Sequence, residues 1–157
     1  MRIYPPLAGA GIKVTRVAED FSTFEVSMRL RWWNRNYVGT HFGGSLYSMC
    51  DPFFMLILLE RLGPEFIVWD KAASIRFRRP GKGTVSARFH ISDERVAEIR
   101  QEVLEEGVVE PTFRTEVLNQ EGKVVAEVEK LLYVRLKKVR SKTVRQQESR
   151  RERSSDG

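Results

Sequence analysis

Asn36-Tyr37-Val38-Gly39-Thr40-His41-Phe42-Gly43-Gly44-Ser45-Leu46-Tyr47-Ser48-Met49-Cys50-Asp51 reads as a loop running into a helix. It starts small and polar, then turns apolar through Met49, Phe53, Phe54, Met55, Leu56, Ile57, Leu58 and Leu59. A Gly43-Gly44 pair ahead of an apolar helix leaves backbone N–H groups, with their partial positive charge, facing a ligand. Asp51 follows Gly44 by about two turns at ~3.6 residues per turn. Donors at a helix start, with an acid in the same helix, suit polarisation of a carbonyl and attack on it.

Outward from this stretch, Ile12 to Val17 and Phe24 to Leu30 alternate as strands, with Phe24, Val26, Met28 and Leu30 on one face. Gly43 to Leu62 is expected to be one long helix that Pro52 kinks or divides, ended by Gly63-Pro64. Its nearly all-round apolar character predicts a central, covered element. Phe66 to Arg79 predicts a long strand bent in its middle, Pro80 to Gly83 a turn, and Thr84 to Ile91 another strand. Ser92 is positioned to cap a polar helix ending at Glu106. Val108 to Asn119 and Lys123 to Leu136 complete the strands; the last sets Val125, Glu127 and Glu129 against Val124, Ala126, Val128 and Lys130. Short turns favour antiparallel pairing. The expected class is α+β, an antiparallel sheet wrapped on a long helix. One sheet face would remain uncovered unless a second subunit helps, which argues for a dimer.

The chain of 157 residues is one domain by length, read as residues 1–137 with a tail over residues 138–157. The formal charge of +6 belongs mainly to that end. From Lys137 onward eight basic residues face three acidic ones, which leaves the body near +1. The tail lacks apolar periodicity and is expected to be disordered. Its basic residues also suit electrostatic contact with RNA, DNA or an anionic membrane, although no aromatic is interleaved for base stacking. The single cysteine, Cys50, excludes an internal disulfide framework and a cysteine-rich zinc site, and fits a reducing compartment. No apolar run approaches the ~20 residues of a membrane span, and no apolar signal region opens the chain. A cytoplasmic protein is expected.

Loop, helix and strand order over roughly Ile12 to Leu136 resemble the hotdog fold. The resemblance extends to the phenylacetic-acid-type thioesterases and to the hotdog family of unknown function DUF4442. The thioesterase pattern has Asn, two residues, Gly, two residues, His-Gly-Gly, and an acid nine residues after that His. Asn36, Gly39, Gly43, Gly44 and Asp51 fall in register; Phe42 occupies the His position, and His41 stands one place earlier. The resemblance implies that the N–H of Gly44 binds the thioester oxygen. It implies that Asp51 activates water or attacks the thioester, and that Asn36 positions water or the acyl group. It also implies at least a homodimer, or a homotetramer.

Each of these residues has a structural alternative. Asp51 before Pro52 could cap a second helix segment, as well as or instead of acting as a base. His41, with an ordinary pKa near 6.5, could be a general base or a loop hydrogen-bonding group. Thr40 and Ser45 flank the glycines and, with Gly39, Phe42 and Gly43, are candidate substrate-binding residues; each of the two could instead cap the helix. Cys50 reads as a buried thiol. Arg76, Arg78 and Arg79 precede a turn; alternation sets Arg76 and Arg78 on one face, where guanidinium groups could hold coenzyme A phosphates or merely solvate a sheet end. Trp32, Trp33 and Tyr37 could line an acyl pocket or an interface.

The function expected first is hydrolysis of an acyl-coenzyme A thioester, with coenzyme A as part of the substrate and no metal or redox cofactor. An enoyl-thioester hydratase ranks lower, because it usually needs an acid-plus-histidine arrangement missing from this helix. The alternative from another class is a non-catalytic module that binds an acyl thioester or fatty acyl group. Action on nucleic acid through the tail is a third.

Overall fold

The computed structural model describes residues 5–137, so the expected basic tail lies outside the described residues. The elements are α1 (Pro5–Ala10), β1 (Ile12–Val17), β2 (Thr23–Arg29), α2 (Gly43–Ser48), α3 (Phe53–Leu62), β3 (Phe66–Phe77), β4 (Thr84–His90), α4 (Asp93–Glu106), β5 (Val108–Val109), β6 (Thr112–Asn119) and β7 (Val124–Leu136). The strands form one antiparallel sheet in the order β1-β2-β4-β6-β7-β3, with the two-residue β5 paired to β7. Its inner face carries Phe24, Val26 and Met28 from β2, Val85, Ala87 and Phe89 from β4, and Val128, Leu132 and Val134 from β7. Against it lie Phe53, Phe54, Ile57, Leu58 and Leu62 of α3. Phe89 joins the layers, stacking on Phe53 at 4.8 Å and meeting Phe54 edge-on at 5.2 Å.

The expected long helix is two helices. After Ser48 the chain tightens, with Cys50 N–H donating to Tyr47 O at 2.8 Å, and α3 restarts after Pro52. Proline lacks the N–H that would continue the ladder, so it divides the helix here and heads the second segment. Nor is α3 covered all round: Leu59 and Glu60 are exposed on the side away from the sheet. Gly63 ends it at φ 94, a conformation that favours glycine.

Other boundaries follow local chemistry. Ser92 Oγ accepts from Arg95 N–H at 3.2 Å and caps α4, which begins at Asp93 and buries Val96, Ile99 and Val103. The expected strand from Val108 is broken at Pro111 into β5 and β6. The short α1 was not expected; Leu7 anchors it. The predicted bend in the long strand is a register shift between Asp70 and Ala72 of β3.

The outer sheet face is charged, with Arg114 on Glu129 at 2.6 Å and Arg78 on Glu127 at 2.7 Å. Such a surface is satisfied by water, so the argument that this face needs a covering subunit fails. Among the described residues β1 and β3 are the edge strands of the sheet; β3 is the longer, running twelve residues and exposing Trp69 and Phe77. No helix among the described residues is long and apolar enough to cross a membrane.

Candidate functional site

The loop before α2 is built by its own side chains. Asn36 Oδ1 accepts from the N–H groups of Val38 and Thr40 at 3.1 and 3.0 Å. Its Nδ2 donates to Thr40 Oγ1 at 2.8 Å and to His41 O at 3.3 Å. Those bonds close the loop and take up the Asn36 carboxamide, while Gly39 supplies the positive φ of 80 that the turn needs. Thr40, expected as a helix cap, is a buried partner of Asn36. Asn34, not singled out in the sequence, is buried too. Its side chain accepts from Arg31 N–H at 2.7 Å and donates to the carbonyls of Ala10 and Arg29.

His41 points inward. Its Nε2 sits 3.1 Å from the carbonyl of Gly83, consistent with an Nε2–H donor, and Nδ1 is buried with no partner. Burial holds its pKa below the usual value, against the opposing pull of the Gly83 carbonyl. The backbone passes from this buried imidazole to Phe42, which is extended at φ −62 and ψ 130 and caps α2 with no side-chain bond. Ser45 does not cap either. Ser48 Oγ donates instead to the carbonyl of Gly44 at 2.8 Å.

Two donors remain open at the helix start. The carbonyl of Phe42 takes the N–H groups of Ser45 and Leu46 at 3.0 and 3.1 Å, and those of Gly43 and Gly44 have no acceptor among the described residues. Because α2 is only six residues long, these act as two hydrogen-bond donors rather than the end of a strong macrodipole. Aromatic rings explain both glycines. A Cβ on Gly43 would lie 2.9 Å from Phe77 Cζ, and one on Gly44 would lie 2.5 Å from Phe42 Cε1.

At the other end of α2, Asp51 does not cap α3; the cap position is Pro52 and carries no side-chain bond. Asp51 Oδ1 instead accepts from Tyr47 Oη at 2.9 Å and from Lys130 Nζ at 2.9 Å. Lys130 also lies 3.1 Å from Asp70 Oδ1 and 3.3 Å from Tyr47 Oη. The lysine side chain has no solvent exposure, whereas that of Asp51 keeps 48 %. Burial alone would push the Lys130 ammonium down; its bonds to Asp51 and Asp70 outweigh this and hold it above the usual value. Burial pushes the Asp70 carboxyl up, partly offset by Lys130. Burial pushes the adjacent Cys50 thiol up to about 12, so it stays protonated. Sequence reading missed Lys130 as a site residue. The signal was its inward register with Ala126 and Val128, where a lysine must find partners.

The arginines separate. Arg78 pairs with Glu127 through Nε and Nη2 at 2.9 and 2.7 Å, and Arg79 Nη1 donates to Val124 O at 2.8 Å. Both border a cavity of about 620 Å³ with Asn36, His41, Gly43 and Phe77. Arg76 lines a different groove on the outer face, with Arg114, Glu116 and Glu129. Asp51 borders neither; it opens onto a depression of about 160 Å³ with Leu7, Tyr47 and Pro52. Trp32 and Trp33 meet edge-on at 5.6 Å and are exposed, as is Tyr37. No cluster of three or more His, Cys, Asp or Glu among the described residues is arranged to hold a metal.

A curved antiparallel sheet packed on a split central helix, entered through an Asn-closed loop and a Gly-Gly pair, is the hotdog fold. The chain belongs to the family described as a domain of unknown function, DUF4442, which matches residues 1–134. A Pseudomonas aeruginosa protein of unknown function, described as a probable thioesterase, superposes with a TM-score of 0.75 at 23 % identity. The match covers 82 % of this chain and 85 % of that one. A variant of the phenylacetic acid degradation protein PaaI from Thermus thermophilus superposes at 0.57 with 25 % identity, covering 85 % of this chain and all of that one. A thioesterase from Haemophilus influenzae superposes at 0.62 with 15 % identity, covering 86 % and 85 %. No curated protein matches the chain.

Proposed function

We propose that this protein hydrolyses acyl-coenzyme A or a related thioester, acting in the cytoplasm as a homodimer without metal or redox cofactor. The observation that carries the reading is the pairing of two unoccupied N–H donors, at Gly43 and Gly44 where α2 begins, with a half-exposed carboxylate at Asp51 on the turn that follows the same short helix. The Gly44 N–H donates to the thioester oxygen and stabilises the charge that develops there. Asp51 activates a water for attack at the carbonyl carbon, and the thiol of coenzyme A departs. The likeness to structures named as thioesterases supports this reading.

Dimerisation is proposed from two features. The β3 edge offers twelve residues for strand pairing with a second copy. Gly43 and Asp51 also open onto different depressions of one chain, so a substrate meets both when the carboxylate of one protomer faces the glycines of its partner. Of the three arginines, Arg78 and Arg79 flank the cavity beside Gly43 and are the better placed for coenzyme A phosphates.

The test is hydrolysis of short, aromatic and long acyl-coenzyme A substrates, followed by free thiol, with Asp51→Asn beside the wild type. The expected outcome is turnover by the wild type and a loss of about 10²- to 10⁴-fold in the variant, the range for removing a general base. Wild-type activity in Asp51→Asn would remove this residue from the mechanism.

A second reading, a non-catalytic module binding an acyl thioester, is favoured by one observation. Phe42 replaces the imidazole of the related pattern, and His41 is turned into the protein onto Gly83. Thermal stabilisation by an acyl-coenzyme A without turnover would favour that module.

A further inference from the structure

Lys130 sits on the inner face of a core strand, where its neighbours in the same register are Val128 and Leu132. A buried ammonium at such a place is expensive unless it is paired and hydrogen-bonded. Here it is held by three oxygens: Asp51 Oδ1, Asp70 Oδ1 and Tyr47 Oη. The groups facing it come from other segments packed on β7: Tyr47 on α2, Cys50 and Asp51 on the turn after α2, and Asp70 on β3. One ammonium against two carboxylates leaves the cluster with a surplus negative charge.

Asp51 receives both of its hydrogen bonds on one oxygen. Tyr47 and Lys130 converge on Oδ1, and Oδ2 accepts none from the described residues. A carboxylate pinned through one oxygen has its rotation about the Cβ–Cγ bond fixed, which aims the other oxygen in one direction. Asp70 Oδ1 is the second carboxylate oxygen on the ammonium, 3.1 Å from Nζ. It balances the charge of Lys130, so that Asp51 is held without being neutralised.

We propose that Lys130 is a positioning residue: with Tyr47 it clamps Oδ1 of Asp51 and presents Oδ2 to the reacting centre, Asp70 being the lysine's second anchor. This rests on the reading of Asp51 as the group that activates water. The β7 lysine touches no substrate; it acts through the carboxylate.

The experiment compares kcat and KM of Lys130→Met, Lys130→Arg, Tyr47→Phe and Asp70→Asn with the wild type, on the acyl-coenzyme A that the wild type hydrolyses best. Met has nearly the length of Lys and no charge. The expected result is a fall in kcat of about 100-fold in Lys130→Met, the scale of a misplaced reacting group, with KM within about twofold of wild type. Lys130→Arg, which restores the charge and donors, recovers part of the loss. Tyr47→Phe lowers kcat by less, and the double variant loses less than the product of the single effects. The acid limb of the kcat profile moves to higher pH in Lys130→Met, where a cation is removed, and to lower pH in Asp70→Asn, where a competing anion is removed. Should Lys130→Met fail to fold, Tyr47→Phe and Asp70→Asn carry the test through the same two readouts. Unchanged kcat per folded molecule and unmoved limbs would overturn the proposal while leaving the thioesterase reading intact. Absence of wild-type turnover across the panel overturns both.

Discussion

The ring of Phe42 lies over Gly44, so close that a methyl group on residue 44 would stand 2.5 Å from Cε1 of the ring. The residue that occupies the imidazole place of the related pattern thus fills the side-chain space of Gly44. Glycine is needed at 44 for the space, since its helical backbone makes no demand for a positive φ.

That contact predicts a coupled pair. Gly44→Ala must push the Phe42 ring aside and is expected to destabilise by about 1–3 kcal/mol, as overpacking does. Phe42 is more than half exposed, so Phe42→Ala alone changes stability little. The double variant should recover most of the Gly44→Ala loss. Chemical denaturation of the four proteins measures the coupling; strictly additive effects would place the strain elsewhere.

His41 predicts a pH dependence. Its folded-state pKa lies below the ordinary 6.5 because of burial. The unfolded chain therefore binds the proton more readily, and stability rises with pH across the window. The contribution is full above about 6.5 and is lost as pH falls toward the folded value. Melting temperatures from pH 8 to pH 5 should decline, with a shallower decline in His41→Gln. Parallel profiles would show that the imidazole is not the group responsible.

Lys130 and Tyr47 predict the alkaline side. Both hold their protons more tightly in the folded protein than in the unfolded chain, Lys130 through its carboxylates and Tyr47 through burial and Asp51. Their stabilisation is present below pH about 10 and lost as pH rises through the folded values. Lys130→Met should be less stable at pH 7 by about 3 kcal/mol, the lower end for breaking a buried pair, since Asp51 reaches solvent. It should also show a weaker loss from pH 9 to 11. An equally steep loss in the variant would assign the alkaline transition to other groups.

Cys50 should be inert. With its thiol pushed up to about 12 and fully buried, it has almost no thiolate at pH 8. Native protein is expected to resist a thiol-reactive probe that labels the denatured chain stoichiometrically. Rapid labelling of native protein would mean that the α2–α3 turn opens easily.

Much of the fold is legible along the chain because its causes are local. Alternation in Phe24, Val26 and Met28, the cap at Ser92, the stop at Gly63 and the break at Pro52 act within a few residues. The spacing of Asn36, Gly39, Gly43, Gly44 and Asp51 is likewise visible, and places a loop, two donors and an acid in order. Their partners are not visible. Asn36 turned out to serve its own loop, and the cap proposed for Asp51 is absent.

The sequence by itself determined the α+β class, the glycine pair and the acid, since each follows from short-range sterics and periodicity. Tertiary structure alone decided what Asp51 bonds to. Lys130 follows it by 79 residues and Asp70 comes from a third segment. They meet because the pairing of β3 with β7 lays Ala73 against Lys130 beneath the end of α2. A buried charge is stable only where distant chain segments bring oxygen atoms to it.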